Sequence, residues 1–133
     1  MEVTDIFIDG TGLILNRQMV LFKTSMFTEW RHMRVLFNQG EQVIPPAIFK
    51  ILLRLCIASP HWVHKHNLGE GAIGSKYVYR LRQQIKKIGL DLVIENGRWI
   101  GHIHHYRIKI NSIRINSAAL SKHPDFEVRE MVN

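Results

Sequence analysis

The period of the hydrophobic pattern changes at Pro45-Pro46, and this change limits the fold more than any other feature of the sequence. Before it, β-branched and aromatic runs alternate with turn dipeptides such as Asp9-Gly10, a pattern typical of antiparallel strands. After it, apolar residues recur at the helical spacing i, i+3, i+4 and i+7, at Ile48, Ile51, Leu52 and Leu55. The sequence therefore predicts an α+β fold in which residues 1–44 form a sheet of three or four antiparallel strands. The strands are expected around residues 6–8, 13–15, 19–22 and 33–37, with a mixed stretch at 25–30.

Two helices are predicted in the helical part, residues 45–89. Proline is tolerated at the first helical position, so Pro45-Pro46 suits a helix start, and Ser59-Pro60 ends that helix. The second helix is expected to begin after Ser75, a candidate N-cap, and to end before Gly89, a favourable C-cap. A short strand or helix and a glycine-rich loop are expected between the two helices.

The second predicted helix has two chemically different faces. One face carries the apolar residues that would anchor it on a core: Tyr77, Val78, Leu81, Ile85 and Ile88. The other face is basic and polar: Lys76, Arg80, Arg82, Gln83, Gln84, Lys86 and Lys87. A helix fits the ~12 Å major groove of DNA, where Arg and Gln read base edges. The alternative is a solvated amphipathic helix whose basic end complements the helix dipole.

A β-hairpin is predicted directly after this helix, in residues 90–110. Leu92–Glu95 reads as a strand, Asn96-Gly97 as a two-residue turn, and Arg98 begins the return strand. Gly101, within the return strand, indicates a bulge or a close backbone approach. A basic helix followed by a hairpin with a basic tip is the arrangement of a winged helix, although an ordinary structural hairpin would give the same pattern.

Four segments resemble, in order and spacing, the motifs of one family: Val43–Leu55, Trp62–Leu68, Val78–Ile85 and Tyr106–Ile108. The strongest piece is Arg80-Leu81-Arg82 in its context, which resembles the recognition-helix pattern Ile-Ser-Arg-Leu-Arg-Lys-Lys-Leu. The family is the OmpR/PhoB-type winged-helix DNA-binding domain of bacterial response regulators, and the resemblance covers about residues 5–110. It implies a winged helix-turn-helix with an N-terminal antiparallel β-sheet and a C-terminal β-hairpin wing.

The resemblance also implies a function, which is sequence-specific double-stranded DNA binding by a bacterial-type transcription regulator. The recognition helix, residues 76–88, would lie in the major groove and the wing would contact DNA near residues 96–98, with two protomers forming a homodimer on repeated half-sites. The implied base or phosphate readers are Tyr79, Arg80, Gln83 and Gln84. The implied phosphate contacts are Lys76, Arg82, Lys86 and Lys87, with Arg98 serving the wing.

The chain departs from the family in three places. No receiver domain is expected in these 133 residues. The stretch between Leu68 and Lys76 is short and glycine-rich, which argues against RNA polymerase contact. The family's wing motif is replaced by the histidine-rich stretch Gly101–Tyr106. We expect residues 1–112 to form a single domain and residues 113–133 a loosely organised tail.

Composition supports an anionic partner and a reducing compartment. The chain has 18 Lys and Arg against 11 Asp and Glu, a net charge of +7, which suits a polyanion because bound phosphates release counterions. Cys56 is the single cysteine, so no intrachain disulfide can form, and its apolar surroundings indicate a core residue. Without a signal peptide or an apolar run of ~18 residues, a soluble cytoplasmic protein with no membrane partner is expected.

The sequence gives weaker support for other functions. The pairs His64/His66 and His102/His104 could meet as a metal site, but they lack a cysteine partner and a His-Glu-x-x-His motif, so no metal is expected. Gly69–Lys76 departs from the phosphate-loop order, and the scattered acids offer no acid-base pair, so neither a cofactor nor an enzyme is expected. A protein-interaction module that uses the sheet of residues 5–44 is the main alternative, and an RNA or single-strand binder is the third hypothesis.

Overall fold

A five-stranded mixed sheet forms one part of the computed structural model, which describes residues 1–10, 12–22, 43–68 and 73–133. Its order is β4-β3-β2-β1-β8, with strands β1 (Asp5–Asp9), β2 (Gly12–Leu15), β3 (Gln18–Phe22), β4 (Val43–Ile44) and β8 (Ser112–Ile115). β1, β2 and β3 pair antiparallel, as predicted. Side chains alternate between the faces, so that Ile6, Ile8, Leu13 and Leu15 are all fully buried.

The outer strands of this sheet correct the antiparallel prediction. β4 pairs parallel with β3, and β8 pairs parallel with β1 in the register Asp5↔Ser112 to Ile8↔Ile115. A parallel neighbour must arrive by a long crossover, which leaves no signal in the local sequence. The expected strand around residues 33–37 and the mixed stretch at 25–30 lie outside the described residues.

Residues 113–133 are structured, so the prediction of a loose tail is wrong. After β8 come two short helices, α3 (Ser117–Leu120) and α4 (Phe126–Val132), whose Leu120 and Val128 are buried. Asp125 caps α4 by accepting a hydrogen bond from the Glu127 amide. Its carboxylate also pairs with Lys50 of the preceding helical part at 3.1 Å, and this partner holds the pKa of Asp125 below its usual range despite partial burial.

The two predicted long helices are present and pack against each other. α1 (Pro46–Ala58) has Pro46 in its first turn, as expected, and buries most of one side, including Phe49 and Leu52. α2 (Ile73–Lys86) begins before Ser75, so Ser75 lies within the helix and is not its N-cap. The expected end at Gly89 is confirmed, because Gly89 has φ +79° and the amides of Gly89 and Leu90 bond the Lys86 and Ile85 carbonyls.

A second, three-stranded antiparallel sheet has the order β5-β7-β6. Its strands are β5 (Val63–His64), β6 (Glu95–Asn96) and β7 (His105–Arg107). A 3₁₀ helix, Lys65–Asn67, follows β5, and another, Gly97–Ile100, follows β6. The pairing of β5 with β7 therefore connects a segment that precedes α2 in the chain with one that follows it.

The hairpin between β6 and β7 corrects three predictions. Asn96-Gly97 does not form a two-residue turn, because the Asn96 side chain accepts a hydrogen bond from the Arg98 amide and the chain curls into the 3₁₀ helix. The strand starts at Glu95 rather than Leu92, and the return strand ends at Arg107 rather than near 110. Gly101, predicted to mark a bulge or a close backbone approach, instead ends the 3₁₀ helix with φ +85°, and a Cβ atom there would meet nothing within 4 Å. A close approach occurs at Gly97, where a Cβ atom would lie 2.7 Å from the His102 carbonyl oxygen.

Two further expectations concern the core and the membrane. Cys56 is buried, as expected, and burial raises the pKa of its thiol to about 12. Among the described residues, the helices are too short or too polar to cross a membrane.

Truncation of Leu120 tests whether residues 113–133 belong to the core. Leu120 is 0% exposed, so we expect Leu120→Ala to lower the free energy of unfolding by about 2–5 kcal/mol. Phe126 lies in the same segment but is 63% exposed, and Phe126→Ala should cost less than about 0.5 kcal/mol. Urea denaturation measures both, and equal small losses would show that this segment is dispensable.

Candidate nucleic-acid interface

The exposed face of α2 and of the turn after it is basic and polar. Tyr79 is 61% exposed. The other exposed predicted site residues on this face are Lys76, Arg80, Gln83, Lys86 and Lys87. The opposite face is buried at Val78, Leu81 and Ile85, which gives the helix the two faces that the sequence predicts. We call the exposed side the α2 face.

Arg82 does not belong to the α2 face. Its guanidinium group is half-buried and donates a hydrogen bond to the carbonyl oxygen of Ile94, in the segment that leads into β6. Arg82 is four residues after the buried Val78, so the helical repeat places it beside the apolar stripe. That spacing was the available signal for its inward position. Gln84, also predicted as a reader, is half-buried.

The positive charge of the α2 face is not neutralised by the described part of the chain. Among the described residues, the basic members of the ion pairs are Lys50, Arg54, Arg107 and Arg114. None of these residues belongs to α2. Arg80 lies over the ring of Tyr77, with 5.9 Å between its guanidinium carbon and the ring centroid. The α2 face can therefore offer its cations to a partner from outside.

A partly buried hydrogen bond connects α2 to the second sheet. The hydroxyl of Tyr106, in β7, donates to the hydroxyl oxygen of Ser75 in the first turn of α2, at 2.9 Å. Tyr106 is only 8% exposed. The loop between β6 and β7 is consequently held in a defined position relative to the α2 face.

This loop, residues 97–104, has an exposed tip that is both basic and apolar. Trp99 is 86% exposed, Ile100 62% and Ile103 58%. Arg98, the predicted wing residue, is exposed and lies over the Trp99 ring at 5.3 Å from its centroid. The sequence located the tip near residues 96–98 and allowed an exposed Trp99 beside it, but the two-residue turn it assumed gave no signal for the exposed Ile100 and Ile103.

Below the tip, aromatic and cationic side chains pack into one layer. Trp62 stacks on His102 with ring centroids 5.0 Å apart, and the guanidinium of Arg107 lies 4.2 Å from the Trp62 ring centroid. Arg107 also pairs with Glu95 across β6 and β7. Trp62 is half-buried.

The four histidines proposed from sequence as two pairs come together around His64, with His105 as a fifth member. The described residues contain no group of three or more His, Cys, Asp or Glu side chains with the geometry to hold a metal ion.

A groove of about 670 Å³ lies away from the α2 face, at the C-terminal end of α1. Its walls include Ile57, Ile113 of β8 and Met131 of α4, with Lys109 at the polar side. Cys56 also lines it, but with a thiol pKa of about 12 this side chain stays protonated at neutral pH and is a poor nucleophile.

No family model, curated protein or solved structure matches the chain. The resemblance to OmpR/PhoB-type domains therefore stays a prediction.

Stability measurements test whether Arg82 has a structural role. Arg82→Ala removes a charged donor from the Ile94 carbonyl, and we expect it to lower the free energy of unfolding by about 1–3 kcal/mol. Arg80→Ala, two residues away on the α2 face, should change it by less than about 0.5 kcal/mol. Thermal and urea denaturation measure both, and equal effects would contradict a structural role for Arg82.

Proposed function

We propose that the chain is a winged-helix, sequence-specific double-stranded DNA-binding domain of a bacterial-type transcription regulator. The observation that carries the proposal is the α2 face, a cationic helix surface without ion-pair partners among the described residues. In this assignment α2 is the recognition helix and the loop of residues 97–104 is the tip of the wing.

The order of the elements supports the winged-helix assignment. α1, β5, a 3₁₀ helix, α2, β6 and β7 follow one another in the chain, and the strand order β5-β7-β6 brings the hairpin back beside the residues that precede α2. This is the sequence of helix, short element, basic helix and hairpin that the resemblance implies. The hydrogen bond between Tyr106 and Ser75 then sets the angle between recognition helix and wing.

The dimensions and chemistry of α2 suit the major groove. Its 14 residues span about 21 Å at ~1.5 Å per residue, and a helix fits a groove ~12 Å wide. Arg80 and Gln83 are side-chain types that bond guanine and adenine edges bidentately. Lys76 near one end of α2, and Lys86 and Lys87 near the other, would reach phosphates and set the register on the duplex.

A protein-interaction function is the second candidate, and one observation favours it. Trp99, Ile100 and Ile103 expose three large apolar side chains on one short loop, which is unusual unless a partner covers them. Salt separates the two functions, because DNA binding weakens steeply as salt rises whereas burial of an apolar tip does not.

Arg80→Ala tests the proposed recognition helix. If Arg80 contacts a base bidentately, we expect the variant to bind its selected duplex about 5- to 150-fold more weakly, equivalent to ~1–3 kcal/mol. A mobility-shift titration measures the change on a duplex first selected from random sequence by the wild-type chain. Arg114→Ala is the matched control, because it removes the same charge from β8, where Arg114 is well exposed.

The same titration at several salt concentrations tests the phosphate contacts. Loss of Lys86 and Lys87 together should reduce the slope of log affinity against log salt by roughly 0.9 for each contact removed. If wild-type and Arg80→Ala chains bind equally at every salt concentration, α2 is not the recognition helix. If the wild-type chain selects no duplex, the proposal of DNA binding is overturned.

A further inference from the structure

Five histidines surround one point of the second sheet, and we call them the histidine cluster: His64, His66, His102, His104 and His105. The antiparallel register of β5 and β7 places His64 directly opposite His105, with ring centroids 4.9 Å apart. The ring of His66 lies 4.7 Å from His64 and that of His104 6.3 Å from it. His102 joins through His105 at 5.7 Å.

The titratable groups that shift the pKa of His64 are all basic. Partial desolvation is the first cause that lowers the pKa of His64, and the further causes are His66, His105, His104 and Lys65. Arg98 lies on the same loop as His102 and His104. The acid on the neighbouring strand, Glu95, already pairs with Arg107. None of the described groups that shift the pKa of His64 is a carboxylate, so a protonated His64 would have no counter-ion among them.

Hydrogen bonds determine which ring nitrogens can take a proton. His64 Nδ1 accepts a bond from the His66 amide at 3.2 Å, so protonating that nitrogen would break a cap of the 3₁₀ helix. His105 Nδ1 lies 2.8 Å from the Ile103 carbonyl oxygen and must carry its proton there, which leaves Nε2 as the basic atom. A proton added at His105 Nε2 would therefore leave this bond intact, whereas a proton added at His64 Nδ1 would not.

We propose that the histidine cluster binds phosphate groups of the DNA backbone in its protonated state, so that the wing grips DNA more tightly as pH falls. This inference rests on the proposed DNA-binding function. The cluster lies at the base of the wing loop, in the sheet that Tyr106 ties to α2. A phosphate group would supply the anionic partner that is missing among the groups that shift the pKa of His64.

The direction of the pH effect follows from linkage. An anion beside an imidazole favours the charged form and raises its pKa, so the bound state holds more protons than the free state. Affinity must then increase as pH falls through the ordinary histidine range near 6.5. Each imidazole whose pKa rises by one unit on binding adds up to about tenfold in affinity.

The fold itself responds in the opposite direction. Because the pKa of His64 is lowered in the folded chain, its contribution to stability is complete above the ordinary histidine range and is lost as pH falls below it. Circular dichroism melting curves at each pH must therefore accompany the binding measurements, to show that the chain is folded where binding is compared.

The test measures anisotropy of a labelled duplex at pH 7.5, 6.5 and 5.5, at constant ionic strength and with EDTA in every buffer so that metals cannot contribute. The double variant His66→Gln/His104→Asn removes two exposed members of the cluster, and asparagine tolerates the positive φ of 63° at position 104. His61→Gln is the matched control, because His61 is exposed and outside the cluster.

We expect wild type and His61→Gln to bind at least tenfold more tightly at pH 5.5 than at pH 7.5, and the double variant less than threefold. Calorimetry in two buffers of different ionisation enthalpy should show net proton uptake for wild type and less for the double variant. Binding by wild type that is independent of pH, or an unchanged pH dependence in the double variant, overturns the cluster's role and leaves DNA binding in place. Absence of binding at every pH overturns both proposals.

Discussion

The pairing of β5 with β7 is the contact on which the proposed interface depends. It joins residues 63–64 to residues 105–106, on opposite sides of α2 in the chain. The same strand that carries His105 into the cluster carries Tyr106, whose hydroxyl reaches Ser75 at the start of α2. α2, the loop of residues 97–104 and the histidine cluster are consequently all connected to β7, and a displacement of β7 would move all three.

The helices could be predicted because their signals are local. α1 has apolar residues at helical spacing and a proline in its first turn, and α2 ends at a glycine with the left-handed φ that this kind of cap requires. β8 was missed for the opposite reason. Its Ser-Ile-Arg-Ile pattern does alternate, but its partner β1 lies about a hundred residues earlier, and nothing near residue 112 indicates that pairing.

The candidate site was predictable only as far as each side chain follows the helical repeat. The repeat places Arg80 and Gln83 on the exposed side, but Arg82 sits at the border, where one carbonyl from the segment before β6 decides its direction. The conformation of the wing tip could not be predicted because Asn96 can start either a tight turn or a 3₁₀ helix. The side chain satisfies the Arg98 amide and so favours the 3₁₀ helix over the tight turn that Asn-Gly usually forms.

The parallel pairing of β1 with β8 also has a consequence for biosynthesis. Ser112 bonds the Asp5 carboxylate at 2.7 Å across 107 residues of chain, so this edge of β1 has no native partner until the last strand has been made. At typical translation rates of ~5–20 residues per second, that interval lasts roughly 5–20 s. During it the nascent β1–β3 meander presents an open strand edge, the kind of surface that chaperones shield and that pairs wrongly with neighbouring chains. The five-stranded sheet can be completed only after residues 112–115 have left the ribosome.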